Sequence, residues 1–179
     1  VMKAKDAQLN RDVALKFPLK VDGTLRMEQE AKVLKILGKL DKKMTEHIMD
    51  LYDFKQEGSL SYMVCEYLEG HTMQQLLEEK KPNGLDEAQI VQIAIGVLKA
   101  LVVIHANGFI HRDIKPSNIM WVVLPPHIKL IDFGISKSIS KQENMVQTTT
   151  GSMPGSRPYM SPNAHGGQPD EHNDIWALM

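Results

Sequence analysis

The apolar positions of this chain keep two periods, and each period marks a different kind of element. Asp12 to Phe17 (DVALKF) is a short apolar run suited to a buried strand, closed by Pro18, which has no N–H to give to a ladder. From Thr24 to Leu37 the residues Met27, Ala31, Leu34 and Leu37 recur at helical spacing, with Gly38 as terminator. Ile48 to Phe54 and Leu60 to Tyr67 are two further strand runs, and Glu57-Gly58-Ser59 between them reads as a hairpin turn. The first third is therefore expected to be a small sheet around one helix. Beyond it the period lengthens. Leu85-Asp86 opens the clearest helix, with Ile90, Ile93, Ala94, Val97, Leu98 and Leu101 on one stripe and Asn107-Gly108 as its stop. Two short strands follow, Ile119 to Leu124 and Ile128 to Ile131, joined through Pro125-Pro126. Ser136 to Gly155 is polar and aperiodic, with TTTGS inside it, and reads as a mobile loop. Ser161 to Asp174 is rich in Pro, Gly and Asn and passes into DIWALM, the start of a helix.

Composition narrows the class without naming it. With 179 residues, 42% hydrophobic and 24% charged, the chain has the make-up of a soluble globular protein with one substantial core. A formal net charge of -1 gives no support to a nucleic-acid partner or an anionic membrane surface, either of which favours an excess of Lys and Arg. Cys65 is the only cysteine, so no intrachain disulfide or cysteine-rich zinc site is available, and a reducing compartment is compatible. No apolar run near the length that crosses a bilayer is expected, and no charged leader precedes an apolar segment. The chain starts at Val1, so a native amino terminus is expected upstream.

Chemistry concentrates in three places. His111-Arg112-Asp113-Ile114-Lys115-Pro116-Ser117-Asn118 directly follows the long helix, and Asp132-Phe133-Gly134 follows the strand that ends at Ile131. The spacing is like that of the protein-kinase segment it resembles, in which an aspartate reaches a hydroxyl and an amide oxygen a few residues later faces a nucleotide-bound metal. Val13-Ala14-Leu15-Lys16 ends a strand on a lysine, and Glu28 and Glu30 of the next helix compete to be its acidic partner. These segments resemble the HRDxKPxN, DFG and VAIK elements of protein kinases. The resemblance runs from Val1 to Met179 and is nearest to bacterial members of the eukaryotic-type (Hanks-type) serine/threonine kinase catalytic domain, through VMKAKDAQLNRDVALKF.

The resemblance implies an α+β, bilobal protein-kinase-like fold, truncated at both ends. Residues 1–66 would form a small N-lobe of antiparallel sheet plus one helix, and residues 67–179 the hinge and a partial, mainly helical C-lobe. It implies an ATP- and Mg2+-dependent enzyme that phosphorylates a protein substrate on Ser or Thr, with this piece alone poorly active and an apolar surface left on its long helix and on the Asp174 helix. Asp113 is then the catalytic base or orienter, Lys115 a cation near the transferred phosphate, and Asn118 and Asp132 the metal ligands. Lys16 meets the α- and β-phosphates. Glu30 is preferred as its partner because Glu30-x-x-Val33-Leu34 fits the family's ExxIL pattern and shares a face with Val33 and Leu37, leaving Glu28 solvated. Phe133 is expected to pack against the helix that carries Glu30. Tyr62 to Leu68 resembles the strand and hinge that hold adenine, with Cys65 as gatekeeper, backbone groups of Glu66 and Leu68 on the base, and Ala14 and Met120 on its two faces. Val1 aligns with the valine that ends the glycine-rich loop, whose glycines are not in this sequence. Gly155 to Pro162 resembles the close of an activation loop, with Asn163 where the family has glutamate. Arg112 implies regulation by a phosphate on that loop, with Thr148 and Thr150 the candidates, and Ser156 is the loop-closing hydroxyl near Asp113 and Lys115. Asp174 would fasten the backbone of the catalytic loop. A cytoplasmic catalytic domain is expected, in a protein that could itself be membrane-anchored, and the oligomeric state stays open. A pseudokinase-like nucleotide-binding scaffold is disfavoured by intact Lys16, Asp113, Asn118 and Asp132. A small-molecule phosphotransferase of related fold is disfavoured by Arg112 and Lys115.

Overall fold

In the computed structural model the described residues are 1–18, 23–58, 60–81, 83–133, 159 and 171–178. Strands β1 (Met2–Asp6) and β2 (Arg11–Lys16) form a hairpin whose turn is held by Asp6, its carboxylate accepting from the N–H groups of Gln8 and Leu9 at 3.1 Å. Helix α1 (Gly23–Leu37) follows, then β3 (Leu51–Glu57) and β4 (Leu60–Glu66). The four strands pair antiparallel in the order β1-β2-β4-β3, with Gly58 at positive φ in the turn between β3 and β4. Glycine suits that turn because the left-handed region costs it no Cβ clash. Helix α1 buries Met27, Glu30, Ala31, Val33, Leu34 and Leu37. Five of these six are apolar, so the buried carboxylate of Glu30 demands a partner.

The rest of the chain builds a second body. Strand β5 (Gly70–Thr72) runs into α2 (Met73–Glu79), and α3 (Glu87–Ala106) follows; capping boxes, Thr72 with Gln75 and Asp86 with Gln89, satisfy the first N–H groups of the two helices. A short 3-10 turn at Pro116–Asn118 leads into β6 (Ile119–Val122), β7 (His127–Leu130) and, later, α4 (Glu171–Trp176). The second sheet has the order β5-β6-β7. Helix α3 lies on β7 through Gly96, where a Cβ would come within 2.7 Å of Ile128 Cβ. One buried cluster joins the two bodies, from Leu34, Leu37 and Met63 in the first to Leu101, Ile104 and Leu130 in the second. The molecule is thus α+β and bilobal, as expected.

Several expectations need correction. Strand β1, and β5 with α2, carry no strong periodicity and add to the elements the pattern predicts; neither β1 nor β5 has a buried position, and both are held by their ladders. The third strand begins at Leu51, because Ile48 turns aside into an isolated parallel bridge with Leu130. On α3 the buried stripe is Ile93, Gly96, Val97, Ala100, Leu101, Val103 and Ile104, whereas Ile90 and Leu98 lie exposed on its flank with Val91, Ile95 and Val102. The close glycine contact rotates the helix onto that face. Contrary to the expectation that no run approaches membrane-spanning length, α3 is long and apolar enough to do so, with a mean hydropathy of 1.8 over an 18-residue window, although its inner face packs against β7. Ser59, Gly134 and the polar loop from Ser136 to Gly155, like Ser161 to Asp170, lie outside the described residues.

Candidate active site

The two sheets meet where the predicted chemistry sits. Lys16 is the last residue of β2, and its Nζ lies 2.8 Å from both carboxylate oxygens of Glu30 on α1. The same ammonium is 2.7 Å from Asp132 Oδ1, just beyond β7. Glu28 instead makes an exposed pair with Lys32 on its own helix. Burial acts to lower the Lys16 pKa, but the Glu30 and Asp132 carboxylates outweigh it and the ammonium is held above its ordinary value. Burial raises the Glu30 carboxyl against the pull of Lys16. Contacts of 2.8 Å to both oxygens identify the charged pair as the resting state.

A hairpin explains why Asn118 and Asp132 meet. Strand β6 starts immediately after Asn118, and Ile119 pairs with Leu130 of β7, so the residues flanking that pair are brought together; the Ile131 N–H donates to the Asn118 carbonyl at 3.0 Å. Asn118 is buried, and its Nδ2 donates to both the carbonyl and Oδ2 of Asp113 at 2.8 Å. An amide committed through nitrogen turns its oxygen the other way. Lys115 Nζ is 2.7 Å from Asp113 Oδ2. The Asp113 N–H donates to His111 Nδ1 at 3.3 Å. His111 is fully buried, and burial holds its pKa below the ordinary value, so the ring is neutral. Its face lies 4.8 Å from the Phe133 ring, and the Phe133 N–H donates to Glu30 Oε1 at 3.2 Å. Phe133 therefore packs between His111 and α1.

Asp174 of α4 anchors the loop from below. Its carboxylate, 1% exposed, accepts from the N–H groups of His111 at 2.8 Å and Arg112 at 2.7 Å, and is 2.8 Å from His105 Nε2. Arg112 adopts φ +66°, which aligns two successive N–H groups on one acid. Burial pulls its guanidinium below the ordinary value, and its Nε has no hydrogen-bond partner among the described residues.

The expected adenine end lies at the junction of the sheets. Ala14 pairs with Cys65 across β2 and β4, and Met120 is on β6 of the opposite sheet, so the two face from different lobes. Cys65 is buried, and burial pushes its thiol up to about 12, so it is an inert wall. The Glu66 N–H donates to the Asp50 carbonyl, which leaves the Glu66 carbonyl and Leu68 as the backbone groups the expectation needs. Val1 is 88% exposed at the start of β1. Thr148, Thr150, Ser156 and Asn163 lie outside the described residues. Sequence reading missed His105 and Lys129. A lysine inside the apolar strand His127–Leu130 was the available signal for the second.

Among the described residues no group of three or more His, Cys, Asp and Glu side chains could hold a metal. The Asn118 amide and the half-exposed Asp132 carboxylate are hard oxygen donors, few in number, which fits magnesium, an ion that keeps waters and phosphate oxygens as its other ligands.

Residues 1–179 match the family model described as protein kinase domain. A relative from Clostridium acetobutylicum is 38% identical over 180 residues, covering 99% of this chain and 26% of its own length. Another from Clostridium perfringens is 33% identical over 184 residues, covering 99% and 25%. Both carry the name of probable serine/threonine-protein kinase. Serine/threonine-protein kinase PknB of Mycobacterium leprae is 32% identical over 186 residues, covering 98% and 28%. The chain spans about a quarter of the length of these relatives.

Proposed function

The chain belongs to the protein kinase domain family, and from that membership we propose that it is the catalytic core of a serine/threonine kinase acting on protein substrates with ATP. The observation that carries this reading is the Lys16 ammonium held between Glu30 and Asp132, which joins β2, α1 and the end of β7 at one point. Lys16 binds the α- and β-phosphates, and Glu30 keeps it aimed there. Asp113 orients the substrate hydroxyl and accepts its proton as the oxygen attacks the γ-phosphorus and the bond to the β-phosphate oxygen breaks, releasing ADP. Lys115, beside Asp113, offsets charge on the transferred group. Asn118 and Asp132 would hold magnesium, which would neutralise charge on the phosphates. Backbone groups of Glu66 and Leu68 hold the base between Ala14 and Met120, with Val1 at the edge. We place the lobe boundary between residues 66 and 67, and the catalytic domain in the cytoplasm, where ATP is supplied.

Arg112 supports regulation by phosphate. A half-buried guanidinium with an unpartnered Nε is a ready site for a phosphorylated loop residue, Thr148 or Thr150, and Ser156 would close that loop on Asp113 and Lys115. In the full-length protein, Asp113→Ala and Lys16→Met should each lower radiolabel transfer from ATP to a generic basic protein by at least about 10²-fold. Mass spectrometry of the same wild-type incubations should find phosphate on Thr148 or Thr150. Undiminished transfer by Asp113→Ala would sink the assignment, and nucleotide binding without transfer by the wild type would favour a scaffold.

A further inference from the structure

Behind the hinge lies a buried ion pair that the chemistry above does not use. Lys129, on β7, is 8% exposed, and its Nζ donates to Glu66 Oε1 at 2.6 Å and to the Ile48 carbonyl at 3.2 Å. The same Glu66 oxygen accepts from the Asp50 N–H at 2.6 Å, and the Glu66 N–H returns a bond to the Asp50 carbonyl at 3.0 Å. The 47–50 segment is in turn stitched to β7: Leu130 N–H donates to the His47 carbonyl and Met49 N–H to the Leu130 carbonyl, both at 2.9 Å. Three segments far apart in sequence therefore converge on one lysine.

We propose that Glu66 and Lys129 are positioning residues that fix the base-binding end of the site relative to its metal-binding end, an inference that rests on the kinase reading above. Glu66 is the hinge residue whose carbonyl faces the base in that reading. Lys129 lies on β7 three residues before Asp132, which follows the end of that strand, so the pair links the hinge residue to the chain segment that carries Asp132. A desolvated charge pair with several further hydrogen bonds has one favourable geometry, unlike an exposed pair, which tolerates many. The pair keeps the two lobes at the separation that nucleotide binding requires, and it touches neither substrate.

A purely structural role would look similar in a single variant, because removing one partner leaves a lone buried charge. Replacing both charges by apolar side chains removes that penalty and often restores stability. The test compares Lys129→Met and Lys129→Met/Glu66→Leu with wild type in the full-length protein, reading the thermal midpoint, KM for ATP and kcat at saturating ATP. Both variants should raise KM for ATP about tenfold, the scale on which outer-shell partners act. In Lys129→Met, kcat should stay within about threefold, and KM for the protein substrate should not move. The double variant should regain its thermal midpoint while KM for ATP remains high. Recovery of KM together with the midpoint, or a loss of kcat at unchanged KM, overturns the proposal while wild-type transfer stays intact. A wild-type protein that transfers no phosphate overturns the kinase reading and this inference with it.

Discussion

His111 sits without solvent contact between Phe133 and the loop it begins, and its neutral ring accepts from the Asp113 N–H through Nδ1. Burial holds its folded-state pKa below the ordinary 6.5, against the opposing pull of Asp174 and Asp113. As pH falls, the unfolded chain takes up this proton first, so the contribution to stability is complete above 6.5 and is lost as pH drops through that value toward the folded pKa. His111→Gln, which does not titrate, should therefore show a smaller loss of unfolding free energy across that range, measured by urea denaturation on either side of 6.5. Equal acid sensitivity in both proteins would assign the loss to other groups. The sequence marked His111 only as part of a motif. Its burial depends on Phe133, 22 residues away, and no local pattern reports that contact.

Elements meet through a few close contacts, and one of them lies between α3 and β7. A Cβ on Gly96 would approach the Ile128 Cβ to 2.7 Å, and that atom is fixed to the backbone and cannot swing aside. Gly96→Ala should therefore push the helix off the strand and cost about 1–3 kcal/mol, as overpacking generally does. Chemical denaturation measures the loss; an unchanged midpoint would mean the helix shifts freely. The α3 stripe was legible as a helix from its period, and Asp86 and Asn107 as its ends, because caps and periodicity are local. The face it buries was legible only in part. Ile90 and Leu98 match the helical period as well as Ile93 and Val97 do, and the glycine that admits β7 chooses between them.

At the scale of the whole molecule, the site depends on anchors remote in sequence. Asp174 holds the backbone of the 111–118 segment through two N–H groups, 63 and 62 residues away. In Asp174→Ala both donors lose their partner inside the protein, at about 1–3 kcal/mol for each unsatisfied group, and Asp113 loses its fixed position. Activity should fall by about 10²-fold in kcat with a smaller change in KM for ATP, since Lys16 and the hinge stand elsewhere. Steady-state kinetics at saturating ATP would reveal it, and an unaltered kcat would show that the loop is held without Asp174. By itself the sequence determined the helical periods, the hairpin turn at Gly58, and the residue types and spacings of the 111–118 and 132–133 segments, since these follow from neighbours along the chain. The resemblance to the kinase elements left Glu28 and Glu30 as partners for Lys16, and the family's ExxIL pattern with the face shared by Val33 and Leu37 favoured Glu30, which the structure pairs with it. Only the tertiary structure decided that Lys16 also meets Asp132, that Lys129 ties the hinge to β7, and that Arg112 turns to positive φ to share Asp174. Each of these joins segments separated by at least 60 residues, and such contacts are set by how two lobes close on a common core, which no local window of sequence contains.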